Sequence, residues 1–242
     1  MTKKLIYFTL SNKLDYLEIA KLCLDSLKNN NYDGDILFIT DKKNEIEKIS
    51  PLKDVLFFEV PLGDLFKSSA NKLKIYLYDR IKEYDKIIYC DLDILWLKNP
   101  NIIFDLIDKD KIYISQENEL MSEQHWGGRI LTNDEKKNIN ENRIFGLNAG
   151  FFAFNSKVVN FFKKIDEFMN QNIDKVEDCL EQPFLNTFVF RHNLYEIIPN
   201  NYISHKGYSI SEFNGVVLHF AGGPGNSTIK LEKMKKYENF RN

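Results

Sequence analysis

Short apolar runs separated by polar clusters dominate the chain, and most are the length of strands. Residues 5–10 form the first run, 35–39 the second, after an Asp33-Gly34 turn signal, and 55–60 the third. Residues 87–90 and 94–96 flank Asp91-Leu92-Asp93. Further strands are predicted over 111–115, 194–198 and 216–220, and a small-residue turn enters another across 146–154. Helical spacing joins Tyr16, Ile19, Ala20, Cys23 and Leu27, in a helix ending near residues 29–31. It also joins Leu73, Tyr76, Leu77 and Ile81 within 69–83, and Phe161, Phe162, Ile165 and Phe168 within 158–169. Shorter helices are expected over 102–107 and 182–190. A charged terminal helix is expected over 230–240, with Leu231, Met234 and Tyr237 on one side. Strands alternating with helices predict an α/β fold, a mixed and mainly parallel sheet flanked by helices.

The polar stretch 116–143 carries no apolar period. It reads as a long loop, either functional, as a lid or binding segment, or disordered, with Trp126 either anchoring it to the body or taking part in binding. No repeat, linker or low-complexity tract appears, so 1–242 is expected to be a single domain. Hydrophobic residues make up 43% and charged residues 28%, and the net charge of −2 argues against a nucleic-acid binder. Cys23, Cys90 and Cys179 are isolated, which suggests neither a disulfide framework nor a zinc site and fits a reducing compartment. The apolar run at the N-terminus is too short for a signal segment, and a cytoplasmic location is expected.

Candidate chemistry begins at Asp91 and Asp93. A buried strand that ends in two carboxylates needs compensation for their charge, and ligands gather at the carboxyl ends of strands in open α/β sheets. A hard divalent cation is one reading; a strand-end turn with Asp91 as cap and Asp93 in solvent is the other. His219 ends a later strand, just before a glycine-rich turn over 221–226. An imidazole there serves either as a hydrogen-bonded turn residue or as a ligand. The glycines would let backbone amides approach phosphate oxygens. Two carboxylates and one imidazole suit Mn²⁺ or Mg²⁺, held partly by a diphosphate, better than structural zinc.

Six segments in order resemble the family 8 glycosyltransferases, the glycogenin-like and galactosyltransferase-like retaining enzymes of GT-A type fold. They are Phe8-Thr9-Leu10-Ser11-Asn12 with Tyr16; Asn71-Lys72-Leu73-Lys74; Tyr84-Asp85-Lys86 through Asp91-Leu92-Asp93; Leu147-Asn148-Ala149-Gly150-Phe151 through Asn155; Glu181-Gln182-Pro183-Phe184-Leu185-Asn186; and His219-Phe220-Ala221-Gly222. The resemblance implies a hexosyltransferase that moves a hexose from a UDP-sugar to a saccharide, glycolipid or glycoprotein hydroxyl, with Mn²⁺ and with retention of configuration. It implies that Asp91, Asp93 and His219 bind the metal. Thr9, Leu10, Ser11, Asn12 and Tyr16 would line the uridine pocket, with Tyr16 stacking on the base, and Leu92 would border the nucleotide. Lys72 would contact sugar or diphosphate, Gly222 would pass close to the diphosphate, and Asn148, Glu181 and Gln182 would surround the donor sugar as the catalytic set.

Two positions depart from the family pattern. Glu181 stands where the family usually has Asp. Gly225, after Pro224, stands where a Lys usually follows the metal His by six residues. Lys230 is the nearest downstream cation, a substitute phosphate clamp or a solvated helix charge. A metal-dependent nucleotidyltransferase is disfavoured because Ser11-Asn12-Lys13-Leu14 has neither Gly nor Arg. A catalytically impaired sugar-nucleotide-binding domain stays open because of Glu181 and Gly225. The terminal segment 228–242, with Lys230, Lys233, Lys235, Lys236 and Arg241, is either a solvated flank or a peripheral membrane contact.

Overall fold

The first apolar run becomes β1 (Lys4–Leu10), whose neighbours set the architecture. In the computed structural model, which describes residues 2–12, 14–49, 54–57, 64–176, 179–209, 212–222 and 227–241, β1 lies between β2 (Asp35–Thr40) and β4 (Lys86–Cys90), parallel to both. β3 (Asp54–Phe57) adds outside β2, also parallel. β6 (Ile112–Leu120), β7 (Phe145–Asn155) and β8 (Tyr195–Ile197) complete a seven-stranded sheet of order β3-β2-β1-β4-β7-β6-β8. Only β7 runs against the others, so the sheet is mixed and mainly parallel. The chain winds leftward from β1 to β3 and returns to β4 on the right. That order makes the gap between the carboxyl ends of β1 and β4 a topological switch point.

β5 (Ile94–Trp96) does not extend β4. It enters a second, three-stranded sheet with β9 (Ile203–Ser204) and β10 (Val217–His219), in the order β5-β10-β9. Asp91, Leu92 and Asp93 are therefore the corner between two sheets.

Helices cover both faces. One core gathers Tyr7, Tyr89, Phe152, Phe154 and Phe162 beneath α6 (Val159–Gln171) and α7 (Gln182–Arg191). The other gathers Phe8, Phe38, Trp96 and Phe151 beneath α1 (Leu17–Asn29) and α8 (Ser227–Arg241). α2 (Lys43–Ile49), which the sequence reading did not propose, connects β2 to β3, and α4 (Asn101–Leu106) follows β5. Of the third predicted strand, residues 58–60 lie outside the described residues.

Two expectations change. The helix expected over 69–83 is instead α3 (Leu65–Ala70), a 3-10 segment (Asn71–Leu77) and a further 3-10 turn (Ile81–Glu83). Tertiary contacts override the helical spacing there. Tyr7 Oη donates to the Lys72 carbonyl at 2.8 Å, and Asn71, Lys72, Leu73 and Ile75 are all buried. The loop expected over 116–143 is largely regular: β6 runs on to Leu120, and α5 (Asn133–Asn142) fills the second half. α5 has a single buried residue, Ile139, so it lacks an apolar stripe to read. Reciprocal Thr132 and Glu135 bonds form a capping box at its start, and Arg191 of α7 grips Glu135 through Nε at 2.6 Å and Nη2 at 2.9 Å.

The Arg191 guanidinium holds the Glu135 carboxyl down to about 2, from an ordinary value of 4.5. A folded value below the unfolded one stabilises the protein above about pH 4.5, and the contribution is lost as pH falls toward 2. Glu135→Gln should therefore cost about 1 kcal/mol near neutral pH, a figure reduced for screening by water. Denaturant unfolding at a series of pH values should show the gap closing in acid; a gap independent of pH would refute the assignment.

Candidate active site

Backbone pairing brings the acids and the imidazole together. The Asp91 N–H donates to the Gly150 carbonyl at 2.8 Å, which ties the end of β4 to β7. The Phe220 N–H donates to the Asp93 carbonyl at 2.9 Å, and in the antiparallel β5–β10 pair His219 lies opposite Ile94. Ligand atoms of Asp91, Asp93 and His219 consequently lie within 4.8 Å of one another. His219 Nε2 is 3.2 Å from Asp93 Oδ1 and 3.9 Å from Asp91 Oδ2.

Gly150 permits this convergence. A Cβ there would collide with the His219 ring and lie 2.7 Å from Asp91 Oδ2. An O/O/N donor set at a strand corner, with glycine backbone against it, fits a hard divalent cation that keeps open positions for another ligand. The alternative of Asp93 as a solvated turn residue does not hold, since Asp93 is 7% exposed.

The carboxylates of the corner are met by cations. Asp93 Oδ2 accepts from the Lys230 ammonium, which arrives from α8 and lies 5.8 Å from the Tyr16 ring centre. Burial pushes the Asp93 carboxyl up, but His219 and Lys230 outweigh that and hold it well below the carboxylate range. Burial likewise pulls Lys230 down, and Asp93 more than reverses it. Lys230 is thus a buried partner of the corner rather than a solvated charge. Met234 and Tyr237, on the same side of α8, are buried as well, while Lys233, Lys235 and Lys236 are exposed.

Across the cleft, Lys72 Nζ sits 2.7 Å from Glu181 Oε1 and 3.4 Å from Asp91 Oδ1, and donates to the Ala149 carbonyl at 3.3 Å. Burial lowers the Lys72 ammonium, while Asp91 and Glu181 together raise it further, so it stays charged. Ser69 donates to Glu181, and Tyr89 donates to Asp91.

The remaining candidates line two joined hollows. Thr9, Leu10, Ser11, Tyr16, Lys72 and Leu92 border the smaller one, of about 220 Å³, at the switch point. Asn148, Glu181, Gln182 and Gly222 border the larger, of about 1010 Å³, with Asp91, Asp93 and His219 between. Asn12 lies outside both linings. Its backbone adopts φ 61°, and its N–H donates to Asp41 Oδ1 at 3.4 Å.

Asn148 Nδ2 donates to Glu117 Oε1 at 2.6 Å, and its Oδ1 accepts the Gly150 N–H at 2.9 Å. Gln182 Oε1 accepts the Ala149 N–H at 3.0 Å. Both side chains are therefore held at β7 by its own backbone amides. Gly222 has φ 63°, a left-handed conformation that favours glycine, with open space around it. Trp126 does two jobs: its ring packs on Gly146, Nε1 donates to Glu119 Oε2 at 2.9 Å, and it also lines the larger hollow.

His205, which the sequence reading passed over, also lines the cleft, with Nδ1 3.0 Å from His219 Nδ1. Burial, then His219, lowers it to about 3, so it is neutral. It lies next to a strand of two residues, too short for any periodic signal. The position of the departure at Gly225, with Pro224, lies outside the described residues.

The carboxylate pair and imidazole at the sheet corner have a family behind them: the chain belongs to glycosyl transferase family 8, which it matches over residues 6–224. It is accordingly a glycosyltransferase. Solved structures agree in fold. The galactosyltransferase LgtC, crystallised with donor and acceptor sugar analogs, superposes with a TM-score of 0.67 at 14% identity, covering 97% of this chain and 95% of that one. The glycosyltransferase GlyE of Streptococcus pneumoniae TIGR4 gives 0.64 at 14% identity, over 99% of this chain and 62% of its own. The bifunctional glycosyltransferase WbbM gives 0.62 at 13%, over 99% and 51%. The architecture is of GT-A type. No curated protein sequence matches the chain significantly.

Gly150→Ala should separate His219 from Asp91 and, if this cluster holds a divalent cation, weaken its binding by about 10–100-fold, the range for disturbed ligand positioning. Calorimetric titration with Mn²⁺ tests it, and wild-type affinity in a folded variant would refute the role of Gly150.

Proposed function

We propose that the chain transfers a hexose from a UDP-sugar to a saccharide hydroxyl, retaining configuration, with Mn²⁺ held by Asp91, Asp93 and His219. The observation that carries this reading is the convergence of those three residues at the switch point, where Asp91 and Asp93 border both hollows and His219 borders the larger. When bound, the cation would supply Lewis-acid neutralisation of charge on the leaving diphosphate.

The chain's own residues do the rest. Thr9, Leu10, Ser11 and Leu92 shape the uridine end, and Tyr16 offers a ring for stacking. Lys72, beside Asp91, and Lys230, beside Asp93, are cations placed to meet a diphosphate at the corner. Glu181 accepts from Lys72 and Ser69, so we assign it to orienting Lys72 rather than to attack on the sugar. Its extra methylene, relative to the usual family Asp, is what we take to extend that reach. Gln182 and Asn148 face the donor sugar from β7 and α7 and favour an oxocarbenium-like state by their amide dipoles.

Gln116, Glu117, Asn118 and Trp126 form the wall opposite. Polar groups around one aromatic face suit a saccharide acceptor, and in this reading the start of the 116–143 segment is a recognition wall.

A panel of UDP-sugars incubated with Mn²⁺ and no acceptor should identify the donor by release of UDP. Asp93→Asn should lower kcat/KM for that donor by about 100-fold or more, because the leaving-group charge loses its main counter-charge. If no donor turns over, or if Asp93→Asn acts like wild type, the reading fails.

Lys230→Met should raise the donor KM about tenfold, in the range for one lost charge-assisted contact. A KM unchanged in steady-state assays would remove Lys230 from the diphosphate site.

A further inference from the structure

We propose that His205 and Ser115 are positioning residues that set whether His219 Nε2 carries a proton or offers a lone pair to the cation. The proposal rests on the metal reading above and goes beyond it. His219 turns Nε2 toward the carboxylates, 3.2 Å from Asp93 Oδ1. Its other nitrogen, Nδ1, faces His205 Nδ1 at 3.0 Å, and His205 Nε2 in turn lies 2.6 Å from Ser115 Oγ.

Three stretches distant in sequence build this line. In the parallel β9–β10 pair Ser204 lies opposite Leu218, so the next residues, His205 and His219, stand side by side. The Gly207 N–H donates to the His219 carbonyl at 3.0 Å and secures the turn. Ser115, 1% exposed, sits in β6 where the register with β7 shifts between Ile114 and Gln116. The line thus joins the two sheets.

Two imidazole nitrogens facing each other at hydrogen-bond distance need one proton between them, with one donor and one acceptor. A hydroxyl at the far end can donate or accept, so the line has two self-consistent settings. In the first, Ser115 donates to His205 Nε2, His205 Nδ1–H donates to His219 Nδ1, and His219 Nε2–H donates to Asp93. In the second, His219 Nδ1–H donates to His205 Nδ1, and His205 Nε2–H donates to Ser115. His219 Nε2 then presents a lone pair to the space between Asp91 and Asp93. Only the second setting can ligate a cation. A backbone carbonyl in place of His205 would lock the second setting permanently. An imidazole backed by a hydroxyl lets His219 satisfy the buried Asp93 without a cation and still become a ligand when one arrives.

The test reads the proton directly. In ¹⁵N-histidine-labelled protein loaded with Mg²⁺ and UDP, His219 is expected to carry its proton on Nδ1; a proton on Nε2 would overturn the proposal. Mn²⁺ affinity, titrated with and without UDP, is the second readout. His205→Leu should weaken binding by about 10–100-fold, while His205→Asn, whose carbonyl can accept from Nδ1–H, should stay within about threefold of wild type. Equal losses in both variants, or no loss in His205→Leu, would show that His205 only fills space. If His205→Leu does not fold, Ser115→Ala takes its place, with a several-fold loss expected and an unchanged affinity counting against the relay. Wild-type protein that takes up no cation would overturn the metal reading as well, which separates that failure from failure of the relay alone.

Discussion

The structure depends on a carboxylate held out of water. Asp93 is nearly buried, and a buried charge persists only where opposite charge and hydrogen bonds replace the lost hydration. Its partners come from β10 and from α8, more than a hundred residues downstream. Breaking such a buried pair by removing one partner typically costs about 3–5 kcal/mol. The terminal helix is therefore coupled to the corner electrostatically as well as through the packing of Met234 and Tyr237.

A second buried pair mirrors the first. Lys72 and Glu181 face each other 2.7 Å apart, both almost fully covered, with Asp91 between the two pairs. Lys230 faces Asp93 on one side of the cleft, and Lys72 faces Asp91 and Glu181 on the other, so the two carboxylates of the corner lie against two ammonium groups. In the proposed reaction this arrangement receives a diphosphate whose charge grows as the sugar leaves. Cations fixed in place before that moment need little reorganisation, which is where electrostatic catalysis gains most. The glycine at position 150 serves the same end sterically, since any side chain there would occupy the space in which the carboxylates and imidazole meet.

The GT-A type fold explains why the site lies where it does. Strand order reverses between β1 and β4, leaving their carboxyl ends without a covering connection. The smaller hollow follows from that gap. The larger hollow is bounded by features of this chain, the extended β6, Trp126 on Gly146, and the first turn of α7, and it is there that donor and acceptor preferences would be set.

Much of this was legible in the order of residues. Strands such as β1, β2 and β4 are continuous apolar runs because both faces of a central parallel sheet are covered, and that signal is local. The acids at 91 and 93 stood out because charge at the end of a buried run demands a reason. Family resemblance then assigned His219 to the same corner. Other features had no local signature. The segment from 69 to 83 breaks into 3-10 turns because Tyr7 and the carboxylates around Lys72 hold it. α5 rests on a capping box and the Arg191–Glu135 pair, so its polar sequence resembled a loop, although Thr132 and Glu135 were there to be read. The sequence left Lys230 as either a phosphate clamp or a solvated helix charge, and nothing in it marked His205. Spacing along the chain determined which segments are strands and where charge would need compensation. Only the tertiary structure decided what compensates it, because the Lys230–Asp93 pair and the Ser115–His205–His219 line form between residues that meet only once two sheets and a terminal helix have closed around them.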